Sequence, residues 1–263
     1  MGSAGAILDA LRPMASIQLE EMNAIRLMNR IDTKFITTTG RLTDVLRDAA
    51  GRGYRVCEID GQRILGYRSL YYDTPRLEMY TLHRNGHKVR QKIRVRTYLV
   101  SGLTFLEIKR KNNKGRTSKK RMEIPQDCFE DIRRCPEAGP YIAKHSAYAI
   151  EDITPACTTE FQRITLVNAA KTERLTIDFD LAFSNRRTGR TAARPGLVVI
   201  ELKQDGRIAS EMKEILLNHR IKAIRISKYC IGTILTDPQV RQGRFKEKIR
   251  YIDKLTLPNP VKP

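Results

Sequence analysis

Arg94 and Arg96, followed by Glu107, Lys109 and Lys111, stand at alternate positions in two neighbouring stretches, KIRVRTY and FLEIKRK. Side chains two residues apart leave an extended chain on the same side. Each stretch therefore predicts a strand with one ionic and one apolar face, the apolar faces carrying Ile93 and Val95, then Leu106 and Ile108. An antiparallel sheet with one wetted face gives the same alternation. That account explains neither the excess of positive charge nor its recurrence. Lys34 lies in RIDTKFIT, Lys119 and Arg121 in SKKRMEI, and Arg163 in EFQRITLV. Arg174 lies in ERLTIDFD, Glu201 and Lys203 in VIELK, and Ser227 and Lys228 in ISKY.

Turned inward from several strands, these groups would line a channel with many cations and few carboxylates. Like charges in a partly dry cavity repel and lose hydration, so the natural occupant is a polyanion. Arginine forks suit pairs of phosphate oxygens and lysines act as point charges. Glu107 and Glu201 are candidates to hold a divalent cation that bridges phosphates; without a metal they would simply pair with neighbouring cations.

The elements that must position these residues are mostly strands. RIDTKFIT predicts a first strand with Arg30, Asp32 and Lys34 on one face. Thr39 then reads as the cap of a helix over 41–50, with Leu42, Val45, Leu46 and Ala49 as its apolar stripe. YRVCEID and RILGYRSLYYDT follow as strands around an Asp60-Gly61 turn. TPRLEMYTLHRNG predicts a short helix or turn, 126–150 has mixed helical character, and TEFQRITLVN with ERLTIDFDLAFSN predicts a hairpin across 169–172. Three helices should follow the LVVIELK strand. The census gives roughly eight strands able to pair as antiparallel neighbours, and a closed or nearly closed barrel would remove their edges. The fold class is thus α+β, an eight-stranded antiparallel barrel with flanking helices. Residues 1–15 read as a mobile lead-in, 16–255 as a single domain and 256–263 as a tail.

Composition narrows the partners. The chain has 263 residues, with 49 Lys and Arg against 29 Asp and Glu, a formal net charge of +20. Such a balance favours nucleic acid, a membrane surface or phosphate-rich molecules. The five cysteines, Cys57, Cys128, Cys135, Cys157 and Cys230, form no CxxC pair and suggest neither a disulfide partner nor a zinc site. They fit reduced thiols of a cytoplasmic protein. No apolar run reaches the roughly 18 residues of a membrane helix, and no signal sequence is evident. The four histidines show no metal spacing and read as surface or turn residues. Tyr67, Arg68, Tyr71 and Tyr72 are candidates to lie near a base or ribose, with a core role favoured.

In order, NRIDTKF, YYDTP, HRNGHKVRQKIRVRTY, FLEIKRKNNKGRTSKKR, LTIDFD, VIELK and ISKY resemble the motifs of the VTC (vacuolar transporter chaperone) catalytic domain. That domain is a polyphosphate-polymerase branch of the CYTH-like triphosphate tunnel metalloenzyme superfamily. The resemblance spans about 22–231. It implies an eight-stranded tunnel holding a nucleoside triphosphate with Mn2+ or Mg2+, and transfer of the γ-phosphate of ATP to a growing inorganic polyphosphate chain, with phosphate and pyrophosphate as related ligands. It assigns phosphate contacts to Lys34, Arg94, Arg96, Lys109, Lys119, Arg163 and Lys228, with Arg121 as neighbour, and a metal-ligand role to Glu201. Phe161 stands where the family commonly has tyrosine. Where hydrolytic members begin ExExK, this chain reads Arg30-x-Asp32-x-Lys34. Loss of the first glutamate removes a metal ligand and water-activating carboxylate, which favours transfer over hydrolysis.

Two alternatives stand beside this reading. One is a tunnel triphosphatase or polyphosphatase. The other is a non-catalytic polyanion sensor or RNA-binding protein, using the basic stretches 109–121 and 186–194. The absence of an RNA-recognition aromatic motif makes nucleic acid the less favoured partner. The chain shows no membrane anchor, so a membrane protein that exported the product would act in trans.

Overall fold

The computed structural model describes residues 3–25, 27, 30–206 and 208–257. Within it α1 (Ser3–Leu11), β1 (Ser16–Ile17) and α2 (Leu19–Ala24) precede the first charged strand, β2 (Arg30–Thr38). Next come α3 (Thr39–Gly51), β3 (Arg55–Cys57), β4 (Leu65–Asp73) and α4 (Glu78–Asn85). Three strands in succession, β5 (Arg90–Tyr98), β6 (Thr104–Lys111) and β7 (Thr117–Ile124), lead through two 3-10 turns to α5 (Ala138–His145). The hairpin of β8 (Thr154–Val167) and β9 (Glu173–Asn185) follows, then β10 (Thr191–Arg194) and β11 (Leu197–Asp205). The chain closes with α6 (Glu211–Asn218), α7 (Lys228–Thr236) and α8 (Lys246–Thr256).

The main sheet runs β2-β11-β9-β8-β4-β5-β6-β7, with every neighbouring pair antiparallel. These eight strands curl and agree with the roughly eight expected, although the YRVCEID strand, β3, pairs with β1 and β8 off this path. Among the described residues no ladder joins β7 to β2, so the sheet stays open along one side. Two features keep it open. The outer edge of β2 is already used, with Phe35 bridged to Ala223 and the Ile224 amide donating to the Lys34 carbonyl at 2.8 Å. The other edge, β7, is exposed from Thr117 to Arg121 and carries Lys119, Lys120 and Arg121 there, a charged edge that resists further pairing.

Apolar faces of the curled sheet are covered from outside. Ile164, Leu166, Ile177, Val198 and Ile200 bury against Leu42, Val45 and Leu46 of α3 and Met212 and Ile215 of α6. Leu70, Ile93, Val95, Leu106 and Ile108 bury against Phe129, Ile132 and Ile142. The cap of α3 is Thr38 rather than Thr39, its hydroxyl accepting from the Arg41 amide.

Residues 1–15, expected as a mobile lead-in, instead contain a packed helix. Ile7, Ala10, Leu11 and Met14 are buried in the same cluster as α3. Their i, i+3, i+4, i+7 spacing is an amphipathic stripe that the surrounding Gly and Pro obscure. Of the expected tail, residues 258–263 lie outside the described residues.

On the concave side, α7 packs against β4, β8 and β9. Tyr229, Cys230 and Ile231 pack among Tyr71, Cys157, Phe161 and Phe183. A Cβ on Gly232 would fall 2.6 Å from the Phe183 ring and 2.9 Å from the Cys157 sulfur, so only glycine permits this approach. Asp73 ties the region together. Its buried carboxylate accepts from the amides of Thr74, Met79 and Tyr80 at 2.8–2.9 Å and from the Tyr229 hydroxyl at 2.5 Å, holding β4, α4 and α7 in one node.

Candidate anion-binding tunnel

Strand register decides which charges meet. Lys92, Lys109 and Lys119 stand directly opposite one another across β5, β6 and β7. Beside them runs a row of Tyr71, Arg94, Glu107 and Arg121, then one of Ser69, Arg96 and Phe105. From the other half of the sheet come Arg163 opposite Asp178, Lys203 opposite Arg174, and Glu201 opposite Lys34. The sheet thus brings Lys34, Arg94, Arg96, Lys109, Lys119, Arg121, Arg163, Arg174, Glu107, Glu201 and Lys203 to one concave face. Lys228 and Ser227 enter from the start of α7.

Three carboxylates are shared among these cations. Glu107 is wholly buried, accepts from the Arg94 Nε at 2.7 Å, and also meets Lys119. Asp178 takes both the Nε and the second guanidinium nitrogen of Arg163, at 2.6 and 2.8 Å, and the Lys228 ammonium as well. Glu201 pairs with Lys34 at 3.1 Å and keeps a quarter of its side chain exposed. Burial alone would raise all three carboxyl pKa values. The facing cations override it and hold them below the ordinary carboxylate range: Arg94, Arg96 and Lys119 for Glu107, Arg163 and Lys228 for Asp178, and Lys34, Lys203 and Lys109 for Glu201.

The remaining cations have weaker company. Among the described residues no carboxylate lies within ion-pair reach of Lys92, Arg96, Lys109, Arg121, Arg174 or Lys203. Lys92 donates to the Ser227 hydroxyl at 2.8 Å, Arg96 to the Ser69 hydroxyl at 3.0 Å, and Arg174 to the Met22 carbonyl at 3.1 Å. Burial lowers the Lys92, Lys109, Lys203 and Lys228 pKa values, and Arg94 pushes that of Lys109 further down. A like-charge row directly across a sheet is destabilising by itself. At an effective dielectric near 20, unit charges about 5 Å apart repel by about 3 kcal/mol, more than a typical net hydrogen bond of about 1 kcal/mol returns. An anion laid along the row removes that cost.

Aromatic rings line the same face. Tyr67 stacks on Phe161 with centroids 5.5 Å apart and meets Tyr98 edge-on at 5.0 Å; Tyr98 in turn meets Phe105 at 5.7 Å. Arg163 lies over Tyr67 and Arg121 over Phe105. The Tyr71 hydroxyl accepts from the Arg94 guanidinium at 3.0 Å, and its phenol pKa falls because Arg94, Arg96 and Lys92 outweigh burial. Tyr72 points outward instead, its hydroxyl accepting from the Ile132 amide, and Arg68 pairs with Glu130 and Glu160 at the surface.

Two residues of this face escape attention in the bare sequence. Lys92 extends the Arg94, Arg96 alternation by one step, and Asp178 sits in LTIDFD one step from apolar neighbours. Period-two alternation was the available signal for both. His83 is also no surface residue: it packs edge-on against Phe245 and contacts the Cys230 sulfur at 3.3 Å. Burial and the surrounding Lys92 and Arg90 push its pKa down to about 2, so it is neutral. All five cysteines are buried free thiols.

Among the described residues no group of three or more His, Cys, Asp or Glu could hold a metal alone, and no helix is long and apolar enough to cross a membrane.

The VTC domain family model matches residues 29–236. No curated protein matches. A solved Hippeastrum structure, described as a candidate adenylyl cyclase with a dominant triphosphatase activity, aligns at 13% identity and TM-score 0.50. It covers 80% of this chain and 97% of its own. A Bacillus halodurans structure, described as a candidate adenylate cyclase, aligns at 10% identity and TM-score 0.48 over 76% of this chain and 96% of its own. The Hippeastrum likeness shows a shared fold, and the family match spans the whole charged sheet from β2 to the end of α7: the chain belongs to the VTC domain family.

Proposed function

We propose that this protein is an ATP-dependent polyphosphate polymerase, transferring the γ-phosphate of ATP to a growing inorganic polyphosphate chain. The observation that carries this reading is the lysine row Lys92, Lys109 and Lys119, flanked by Arg94 and Arg96 and left short of carboxylates. Such a lining suits a run of phosphates rather than one.

Phosphoryl transfer needs positioning and charge neutralisation more than covalent help. Arg94, Arg96, Lys109 and Lys228 would neutralise the transferring group, and Lys34, Lys119, Arg121, Arg163, Arg174, Lys203 and Ser227 would hold flanking phosphates. The terminal phosphate of the acceptor is already ionised near neutral pH, so no strong general base is required. At the first position of the hydrolase motif stands Arg30, ion-paired with Asp32 at 2.7 Å. That pair offers no free carboxylate to activate water, which favours transfer.

A divalent ion fits here only as a partner of the substrate. Glu201 is ionised, partly exposed and bound to a single lysine, so it can serve as a ligand. Glu107 is enclosed between Arg94 and Lys119 and is better read as their counter-ion. Mn2+ or Mg2+ held by one carboxylate and several phosphate oxygens is ordinary coordination for such ions, and when bound it would offset charge on the triphosphate.

Incubation with ATP and Mn2+ or Mg2+, followed by gel electrophoresis of the products, tests the proposal. A ladder of phosphate polymer is expected. Free phosphate without polymer would assign the tunnel to hydrolysis, and unchanged ATP would exclude both reactions.

A further inference from the structure

The concave row of β5 does not stop at the packed part of the sheet. Arg96, Arg94 and Lys92 continue to Arg90, and on β6 Glu107 and Lys109 continue to Lys111, which stands opposite Arg90. Both outermost residues are half-buried. Facing them are cations delivered by other elements. Arg225 lies on the segment that hydrogen-bonds to the edge of β2 through Ile224. Arg244 lies so close to Gly86, just past α4, that a Cβ there would meet its guanidinium. Lys248, in the first turn of α8, sits over the Phe245 ring at 4.6 Å, and that ring meets His83 of α4.

We propose that Arg90, Lys111, Arg225, Arg244 and Lys248 form a surface track that holds the inorganic polyphosphate chain as it leaves the tunnel. This rests on the polymerase reading above. Among the described residues none of the five makes an ion pair; on α8 Glu247 pairs with Arg250 and Asp253 with Arg194. Arg90 is steadied by the His87 carbonyl at 2.5 Å, so its guanidinium is placed without a carboxylate. Arg225 is close enough to depress the pKa of Arg90, Lys111 and Lys248 alike, in addition to burial, which places the charges in one field. The neighbourhood of Tyr98 and Phe105, at the other end of the same strands, is aromatic and includes Glu123 opposite Phe105. The two ends are chemically unlike, and the one richer in cations suits a repeating anion.

The test replaces Arg225, Arg244 and Lys248 by glutamate in the full chain and compares binding of long-chain inorganic polyphosphate with binding of tripolyphosphate. Long-chain affinity should fall about tenfold or more, with a shallower salt dependence, while tripolyphosphate, held within the tunnel, binds as before. Unchanged long-chain affinity, or equal losses for both probes, would overturn the track. If the reversed variant melts early, the glutamine triple variant is read by the same criteria. Glutamates at Lys114, Arg116 and Lys120 on the β6–β7 hairpin serve as control; a loss there in place of the rim would also overturn it. Absence of polymer from ATP with rim-dependent long-chain binding would sink the polymerase reading and leave the track. Polymer of unaltered length from the rim variant, with long-chain affinity unchanged, would sink the track and leave the reading.

Discussion

Arg94 and Glu107 face each other from adjacent strands and bond at 2.7 Å, with the carboxylate wholly buried. Removing one partner of such a pair strands the other charge out of water. Glu107→Ala should therefore cost about 3–5 kcal/mol of stability, read as a lower denaturation midpoint. Glu201→Gln, at a partly exposed site with one lysine partner, should leave the midpoint nearly unmoved and lower metal-supported activity. A stable Glu107→Ala with changed metal preference would reverse the roles given to the two glutamates.

Lys109 has no ion-pair partner and faces Lys92 and Lys119. Lys109→Met should lower kcat about 10²–10³-fold, the usual scale for losing one charge-stabilising donor. The ligand-free protein should melt at the same temperature or higher, because a repelled charge is gone. A large drop in melting temperature would mean that Lys109 serves the core.

Lysines 92, 109, 203 and 228 have folded pKa values below the ordinary lysine value, chiefly through burial. Up to about pH 10.4, the unfolded lysine value, the unfolded chain then binds more protons, so stability rises with pH. Melting of the ligand-free protein should move upward from about pH 7 to about pH 9. Tripolyphosphate, which favours the charged lysines, should flatten that slope while raising the whole curve, by about 2.7 kcal/mol at a hundred times its Kd. Stability falling over this interval would contradict the lysine environments.

Leu11 is fully buried on α1 beneath α3. Leu11→Ala should cost about 2–5 kcal/mol in chemical denaturation, without changing affinity for tripolyphosphate. A neutral substitution would return this segment to the status of a loose leader.

The sheet was legible because its charges alternate. Arg94, Arg96, Glu107, Lys109, Glu201 and Lys203 all fall on the face that period two assigns them. Lys92 obeys the same rule, one step before Arg94. Asp178 was harder: nothing local says that an aspartate in LTIDFD will meet Arg163 and Lys228, since the contact depends on pairing β8 with β9 and on α7 folding back. The open side between β7 and β2 was also beyond local reading, because it follows from a segment after α6 claiming the β2 edge. The stripe of α1 is present but lies among Gly2, Gly5 and Pro13, which obscure a helical reading.

Gly232 lies one turn along α7 from Lys228, with Phe183 and Cys157 packed where its side chain would be. A single added methyl there would lever the helix off the strands and swing its first residues with it. The placement of the Lys228 ammonium against Asp178 is thus set, in this molecule, by a side chain that is missing four positions downstream.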